Sequence, residues 1–219
     1  MWFTQKTIER TTLRVIVYDQ LIDVPSEMDF IDEALAICEG RLMMDYLAGE
    51  EVDVDTLKLG PGSSALAVFR VHSGVFDNRA WLFTGEGYSE SGHVMDQVRG
   101  VVHIARCSST SELLFAVGPE FIHEYWRNLN GCVILLMGCE SMDDTGLADV
   151  MVDHGASAVV GWRGPVSIDE SDMVSLRLLE ALISGSSVGE AVELVDDEFG
   201  LGGRLVFHPV EVHGFRLRT

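Results

Sequence analysis

The segment Cys132-Val133-Ile134-Leu135-Leu136-Met137-Gly138-Cys139 decides the fold predicted for this chain. Its first six residues are all apolar and do not alternate with polar ones, which is typical of a parallel strand covered on both faces. Gly138 ends the run and places Cys139 just beyond it. We therefore predict a central buried strand with a thiol at its carboxyl end.

Other strands and helices are predicted on both sides of this segment. Residues 13–18, 65–71 and 158–162 have the same apolar, β-branched character, and residues 80–84, 101–105 and 205–207 are shorter candidates. A serine followed three residues later by an acidic residue predicts helices starting at Ser26, Ser167 and Ser187. Residues 121–126 and 147–154 also have helical character, whereas most of residues 85–113 is expected to form loops. This alternation predicts an α/β fold, a three-layer α/β/α sandwich around a mostly parallel sheet.

Length and composition limit the possible organisation and partners. The 219 residues, 47% of them apolar, fit one α/β domain covering residues 1–219 and are too few for two ordinary ones. The net charge is −20, which argues against nucleic acid as a partner because phosphate binding needs a basic surface. No apolar run approaches the ~18 residues of a membrane span, and the N-terminal residues lack an apolar signal region. We expect a cytoplasmic protein with no membrane partner; its oligomeric state is open.

Cysteine spacing and motif content leave one class of chemistry open. The four cysteines show no CxxC pair and no metal-ligand spacing, and no GxGxxG or Walker A pattern occurs. We therefore expect no disulfide, metal site or cofactor. His72 and Cys139 both follow buried strands, so parallel pairing would bring an imidazole and a thiol to one edge of the sheet. The backbone N–H groups of Cys139 and of Ser73 or Gly74 could then form an oxyanion hole.

Three motifs resemble the caspase-like cysteine peptidase superfamily, which includes caspases, metacaspases, legumain, gingipain and clostripain. They are Val71-His72-Ser73-Gly74, Met137-Gly138-Cys139-Glu140-Ser141 and residues 155–162, Gly-Ala-Ser-Ala-Val-Val-Gly-Trp. The similarity is nearest to small archaeal members and extends over most of the chain. It implies a caspase-like domain in which Cys139 attacks a peptide carbonyl and His72 protonates the leaving amine. It also implies that the peptidase could cleave its own chain.

The same resemblance suggests which residues bind the side chain before the cleaved bond. Basic-specific members carry an acidic residue two positions before the nucleophile, where this chain has Met137, and another after the first strand, where it has Asp19. Trp162 resembles the aromatic residue that lines this pocket, and Glu86 is a candidate to orient His72 or bind substrate. Acidic specificity would need cations at the pocket, for which Arg70 and Arg163 are candidates, although Arg70 could equally pair inside the fold. We favour a basic residue, with a peptide or protein as substrate.

Two other functions fit the same sequence. A catalytically inactive binding or regulatory module would keep the fold and hold a partner peptide in the crevice at the strand ends. A flavodoxin-like ligand-binding domain would need a phosphate or ring site after the first strand, where Asp19-Gln20-Leu21-Ile22-Asp23 offers negative charge instead of glycines.

Overall fold

Ten strands in two sheets organise the residues described by a computed structural model, which are 13–27, 29–107 and 111–217. In chain order the strands are β1 Leu13–Asp19, β2 Leu42–Ala48, β3 Leu66–Arg70, β4 Ser73–Phe76, β5 Arg79–Gly87, β6 Val102–Arg106, β7 Leu113–Val117, β8 Val133–Leu136, β9 Ala158–Trp162 and β10 Leu205–His208. The larger sheet has the order β10-β9-β8-β3-β1-β2, and the smaller has the order β4-β5-β7-β6.

The larger sheet is mixed but mostly parallel. Strands β2, β1, β3, β8 and β9 run parallel to their neighbours, and only β10 pairs antiparallel, with β9. The predicted strands at 13–18, 65–71, 132–137 and 158–162 all belong to it. The predicted α/β class and mostly parallel sheet are confirmed.

Helices cover both faces of this sheet. They are α1 Phe30–Cys38, α2 Val54–Leu59, α3 Val94–Val98, α4 Pro119–Tyr125, α5 Gly146–Asp153, α6 Ile168–Ile183 and α7 Val188–Phe199. One apolar core joins Val68 and Leu135 to α1, α6 and α7, and a second joins Phe69 and Ile134 to α2, α4 and α5. Neighbouring strand residues thus face opposite layers, because successive side chains alternate across a strand. This is a three-layer arrangement. None of the described helices is both long and apolar enough to cross a membrane.

Two local expectations were wrong. The strand expected at 101–105 is confirmed as β6, but the loops expected around it in residues 85–113 also contain α3 and the end of β5, with 108–110 outside the described residues. Strand β5 continues to Gly87 because it pairs with β7, a distant segment that local sequence does not reveal. Helix α1 begins after Asp29, whose carboxylate accepts the Asp32 N–H, because the Ser26 hydroxyl instead binds Asp169 and Asp172 of α6.

Candidate active site

The ends of β3 and β8 bring His72 and Cys139 to the same edge of the sheet. These two strands are parallel neighbours with Phe69 opposite Leu136, so the segments that leave them start side by side. His72 and Cys139 line one cavity of about 290 Å³. The predicted adjacency of the two strands is confirmed.

Gly138 allows the two segments to approach each other. A Cβ atom added at Gly138 would lie 2.2 Å from the Ser73 Oγ and 2.6 Å from the Val71 carbonyl oxygen. Both distances are far below van der Waals contact. A residue without a side chain is therefore needed where the chain turns from β8 toward Cys139.

The backbone around Cys139 is held by hydrogen bonds to several elements. The Ser73 hydroxyl donates to the Cys139 carbonyl oxygen at 2.6 Å, and the Glu140 N–H donates to the Gly164 carbonyl oxygen at 2.8 Å. Glu140 has a φ of 57°, in the left-handed region that side chains other than glycine rarely adopt. Cys139 thus precedes a sharp, fixed turn, and its side chain is partly exposed.

The Cys139 thiol interacts with the loop between β9 and α6. Its Sγ lies 3.4 Å from the Val166 nitrogen, whose N–H donates to sulfur, and 3.3 Å from the Val166 carbonyl oxygen. Within the described residues, no hydrogen bond joins Sγ to the His72 imidazole. The resting thiol is therefore positioned by backbone groups at the start of α6.

His72 is placed by its backbone at the junction of β3 and the smaller sheet. Its N–H donates to the Gln20 side-chain oxygen at 3.0 Å, and its carbonyl oxygen accepts the Phe83 N–H at 2.9 Å. Its ring lies against Phe83, with 6.5 Å between ring centroids. Burial lowers the pKa of His72, because removal from water disfavours the charged imidazolium.

The lowered pKa of His72 has a consequence for stability. Below an unfolded-state pKa of about 6.5, the unfolded chain binds a proton that the folded protein resists binding. We therefore expect the free energy of unfolding to fall as the pH decreases through 6.5, and His72→Gln to reduce this slope. Urea unfolding at pH 8, 6.5 and 5 measures how the free energy of unfolding changes with pH. The control is His103→Gln, at an exposed position. Equal slopes for the wild type and His72→Gln would contradict this assignment.

The direction of the backbone N–H groups in β4 distinguishes the two oxyanion candidates. Hydrogen-bonded pairs alternate along an antiparallel ladder, and His72 bonds to Phe83, so the Gly74 N–H faces β5. The Ser73 and Val75 N–H groups face the other way, and that of Val75 donates to the Glu140 carboxylate at 3.3 Å. Within the described chain, the Cys139 N–H has no acceptor. The geometry therefore favours Ser73 over Gly74 as the partner of Cys139.

Next to the cavity lies a buried cluster of two carboxylates and one guanidinium. Arg70 donates from Nε and Nη2 to the two oxygens of Asp172, at 2.8 and 2.9 Å, and from Nη1 to Asp19 at 2.8 Å. Asp19 and Asp172 are only 3% and 1% exposed. Tyr46 donates to Asp19 at 3.1 Å, and burial, together with that carboxylate, raises the pKa of Tyr46 to about 12. The tyrosine therefore remains a proton donor.

This cluster defines the surroundings of Asp19. Its oxygens are bound by Arg70, Tyr46 and the Leu21 N–H, and it lines a neighbouring cavity of about 370 Å³ instead of the cavity that contains Cys139. Arg70 pairs inside the fold, which is one of its two expected roles. Asp172 and Arg70 line the cavity beside Cys139. Sequence reasoning missed Asp172, because an acidic residue near a helix start is also expected for helix stabilisation.

The other expected substrate residues differ in their placement. Met137 lines the cavity, with its carbonyl oxygen bound by the Ser171 hydroxyl at 2.7 Å. Trp162 does not line it: the residue is 1% exposed and packs in the first core, with Arg204 over its ring. The Glu86 carboxylate binds His93 and the Val54 N–H instead of His72. The roles expected for Trp162 and Glu86 are therefore not supported. Arg163 is exposed.

Comparisons with known proteins add no assignment. No protein-family model matches this chain, and a search of curated proteins finds no match. In the described ranges, no group of three or more His, Cys, Asp or Glu side chains is arranged to hold a metal ion. The interpretation of the site therefore depends on its own residues and geometry.

Proposed function

We propose that the protein is a cysteine endopeptidase with a caspase-like fold, in which Cys139 is the nucleophile and His72 the general acid and base. One observation carries this proposal: a partly exposed thiol and a histidine leave adjacent parallel strands and line a single cavity. The peptide substrate and the cytoplasmic location expected from the sequence belong to the same proposal.

The proposed reaction uses the groups around this cavity. The Cys139 thiol gives its proton to His72, and the resulting thiolate attacks the substrate carbonyl carbon, while the negative charge that develops on oxygen is stabilised by the N–H groups of Cys139 and Ser73. His72 donates this proton to the nitrogen of the breaking amide bond, and the amine leaves. His72 then accepts a proton from the water that attacks the acyl-enzyme and returns it to the departing Cys139 sulfur, which restores the thiol.

Backbone groups at the start of α6 position Sγ without imidazole contact. The Val166 N–H points at Sγ, and Val166 immediately precedes Ser167, the residue that caps the 16-residue helix α6. The Val166 carbonyl oxygen accepts from the resting thiol, whereas N–H donation and the helix N-terminus stabilise the sulfur once it attacks as an anion. In this proposal, backbone groups stabilise the nucleophile while His72 transfers the proton.

The charges beside the cavity favour a basic residue before the cleaved bond. Two aspartates and one arginine, with charges of −1, −1 and +1, leave a net charge of −1 in a buried cluster. Arg70 already contacts both carboxylates, so it is poorly placed to bind an acidic substrate. A substrate arginine or lysine would supply the second positive charge through the field of the cluster, because Asp172 lines the same cavity as Cys139 but already binds Arg70 through both oxygens.

A peptide panel tests this function directly. Fluorogenic peptides that differ only in the residue before the cleaved bond (Arg, Lys, Asp or Gly) should give a kcat/KM for Arg that is at least about tenfold higher than for Asp or Gly, equivalent to 1.4 kcal/mol. A thiol-reactive peptide probe with the same preference should label Cys139. The proposal fails if no peptide is cleaved and the probe leaves Cys139 unmodified; a preference for Asp would overturn only the basic specificity.

A non-catalytic peptide-binding module is the second candidate. The interaction of Sγ with Val166 and the lack of an imidazole contact among the described residues favour it. This candidate predicts that the arginine peptides bind, for example by fluorescence polarisation, and are recovered uncleaved. Cleavage that depends on Cys139 would exclude it.

A further inference from the structure

An apolar groove lies on the outer face of the smaller sheet. Its volume is about 450 Å³, and its main lining residues are Val75, Phe76, Trp81, Phe83, His103 and Ile104. Phe76 and Ile104 are 73% and 50% exposed. Adjoining exposed apolar side chains of this kind often mark a binding surface.

The floor of the groove is already ordered. Trp81 belongs to neither of the two apolar cores, although little of it is exposed. Its ring packs on His103 with 4.4 Å between centroids, and its Nε1–H donates to the Phe76 carbonyl oxygen at 3.2 Å. These contacts fix a large aromatic surface between the walls, which reduces the entropy lost when a ligand binds.

The groove begins beside the candidate active site, because Phe83 lines it and the Phe83 ring lies 6.5 Å from the His72 ring, centroid to centroid. Phe83 lies directly opposite His72 across the β4–β5 hairpin, so both side chains are on the same face of the sheet. Gly74, which follows the Ser73 oxyanion candidate, also lines the groove. A chain that passes the imidazole therefore meets Phe83 and then the groove.

We propose that this groove binds apolar side chains of the substrate on the leaving-group side of the cleaved bond. The inference rests on the proposed function, in which His72 protonates the leaving amine. The leaving peptide therefore starts beside His72, where the groove begins. The substrate residues before the cleaved bond are assigned to the cavity lined by Asp172 and Val166.

The dimensions of the sheet set how many substrate residues the groove accepts. From β4 to β6 there are three strand spacings of ~4.8 Å, or about 14 Å, which an extended peptide spans with about four residues at ~3.3 Å each. We therefore assign the preference to the second to fourth residues after the cleaved bond. Leucine and phenylalanine side chains match the apolar lining.

Quenched-fluorescence peptides test the groove. Two substrates share every residue up to the cleaved bond and continue either as Gly-Leu-Phe-Leu or as Gly-Ser-Gly-Ser. We expect kcat/KM to be at least about tenfold higher for the apolar peptide, since the groove removes its leucine and phenylalanine side chains from water. Phe76→Ser should reduce this ratio toward one. Leu59→Ser, at an 81% exposed apolar position on α2, should preserve it.

A coumarin amide with the same residues before the bond, but none after it, separates the two proposals. If the coumarin amide is cleaved while the two peptides differ by less than twofold, the groove inference is wrong and the proposed function stands. If nothing is cleaved, the proposed function fails. The groove is then tested by titrating Cys139→Ala with the Gly-Leu-Phe-Leu amide and following tryptophan fluorescence. Saturable binding that Phe76→Ser weakens supports the groove, and lack of binding overturns it.

Discussion

Replacing Cys139 by alanine is expected to lower kcat/KM for peptide hydrolysis by at least about 10⁴-fold, the size of loss seen when a catalytic nucleophile is removed. Among the described residues that line the cavity, no other thiol lies at the end of β8 beside the N–H groups of Cys139 and Ser73. The folded structure should persist, because alanine retains the backbone bonds to Ser73 and keeps Gly138 unchanged. Activity is measured with the arginine peptide, and folding by urea unfolding.

Cys132 provides the matched control. It lies fully buried just before β8, and burial raises the pKa of its thiol to about 12, so it is neither accessible nor ionised near neutral pH. Cys132→Ala should keep the activity and the labelling of Cys139 by a thiol-reactive peptide. If Cys139→Ala retains hydrolysis, or Cys132→Ala loses it while remaining folded, Cys139 is not the nucleophile.

Replacing Arg70 by leucine is expected to destabilise the protein by about 3–5 kcal/mol, because it leaves the buried carboxylates of Asp19 and Asp172 without their cation. The free energy of unfolding from urea titration at pH 7 measures this loss. Arg14→Leu is the control: its ion pair with Asp45 is about half exposed, so the expected loss is below about 1 kcal/mol.

A triple variant separates charge from packing at this cluster. Arg70→Met, Asp19→Leu and Asp172→Leu together remove all three charges, and an apolar replacement of a buried ion cluster is often neutral or stabilising. The triple variant should therefore be more stable than Arg70→Leu alone. Two results would contradict this explanation. One is a loss of less than about 1 kcal/mol in the free energy of unfolding of Arg70→Leu, and the other is a triple variant that is less stable than Arg70→Leu. Either would show that Arg70 does not stabilise the fold by neutralising buried carboxylates.

The main sheet of this protein could be predicted from sequence because its strands carry a local signal. The apolar runs at 13–18, 65–71, 132–137 and 158–162 have no alternation, and a strand covered on both faces gives that pattern. Strand β2 was not predicted, because its residues Leu42–Ala48 include Asp45 and lie at an edge where one side faces solvent. The strand expected at 101–105 is present as β6, but its neighbour β7 was not predicted, since its stability comes from pairing with two distant segments.

The two reactive side chains could be predicted for the same reason. His72 and Cys139 each follow a buried, mostly apolar strand, and parallel strands that are neighbours end at the same edge. Gly138 was visible as a small residue beside the thiol. That only glycine fits at this position became clear from the structure, where an added Cβ atom would lie 2.2 Å from the Ser73 Oγ.

The charges and partners around the site were decided by tertiary structure alone. Asp19 looked like a free pocket carboxylate, yet Arg70, 51 positions later, and Asp172 on α6 form one buried cluster with it. Trp162 and Glu86 looked equally suited to substrate, but the fold directs one into the core and the other to His93. The sequence by itself determined four buried strands of the main sheet and the two reactive residues that follow two of them, because burial leaves a local pattern. Only the folded chain decided which charges meet, because an ion pair depends on side-chain directions across distant elements that no local pattern encodes.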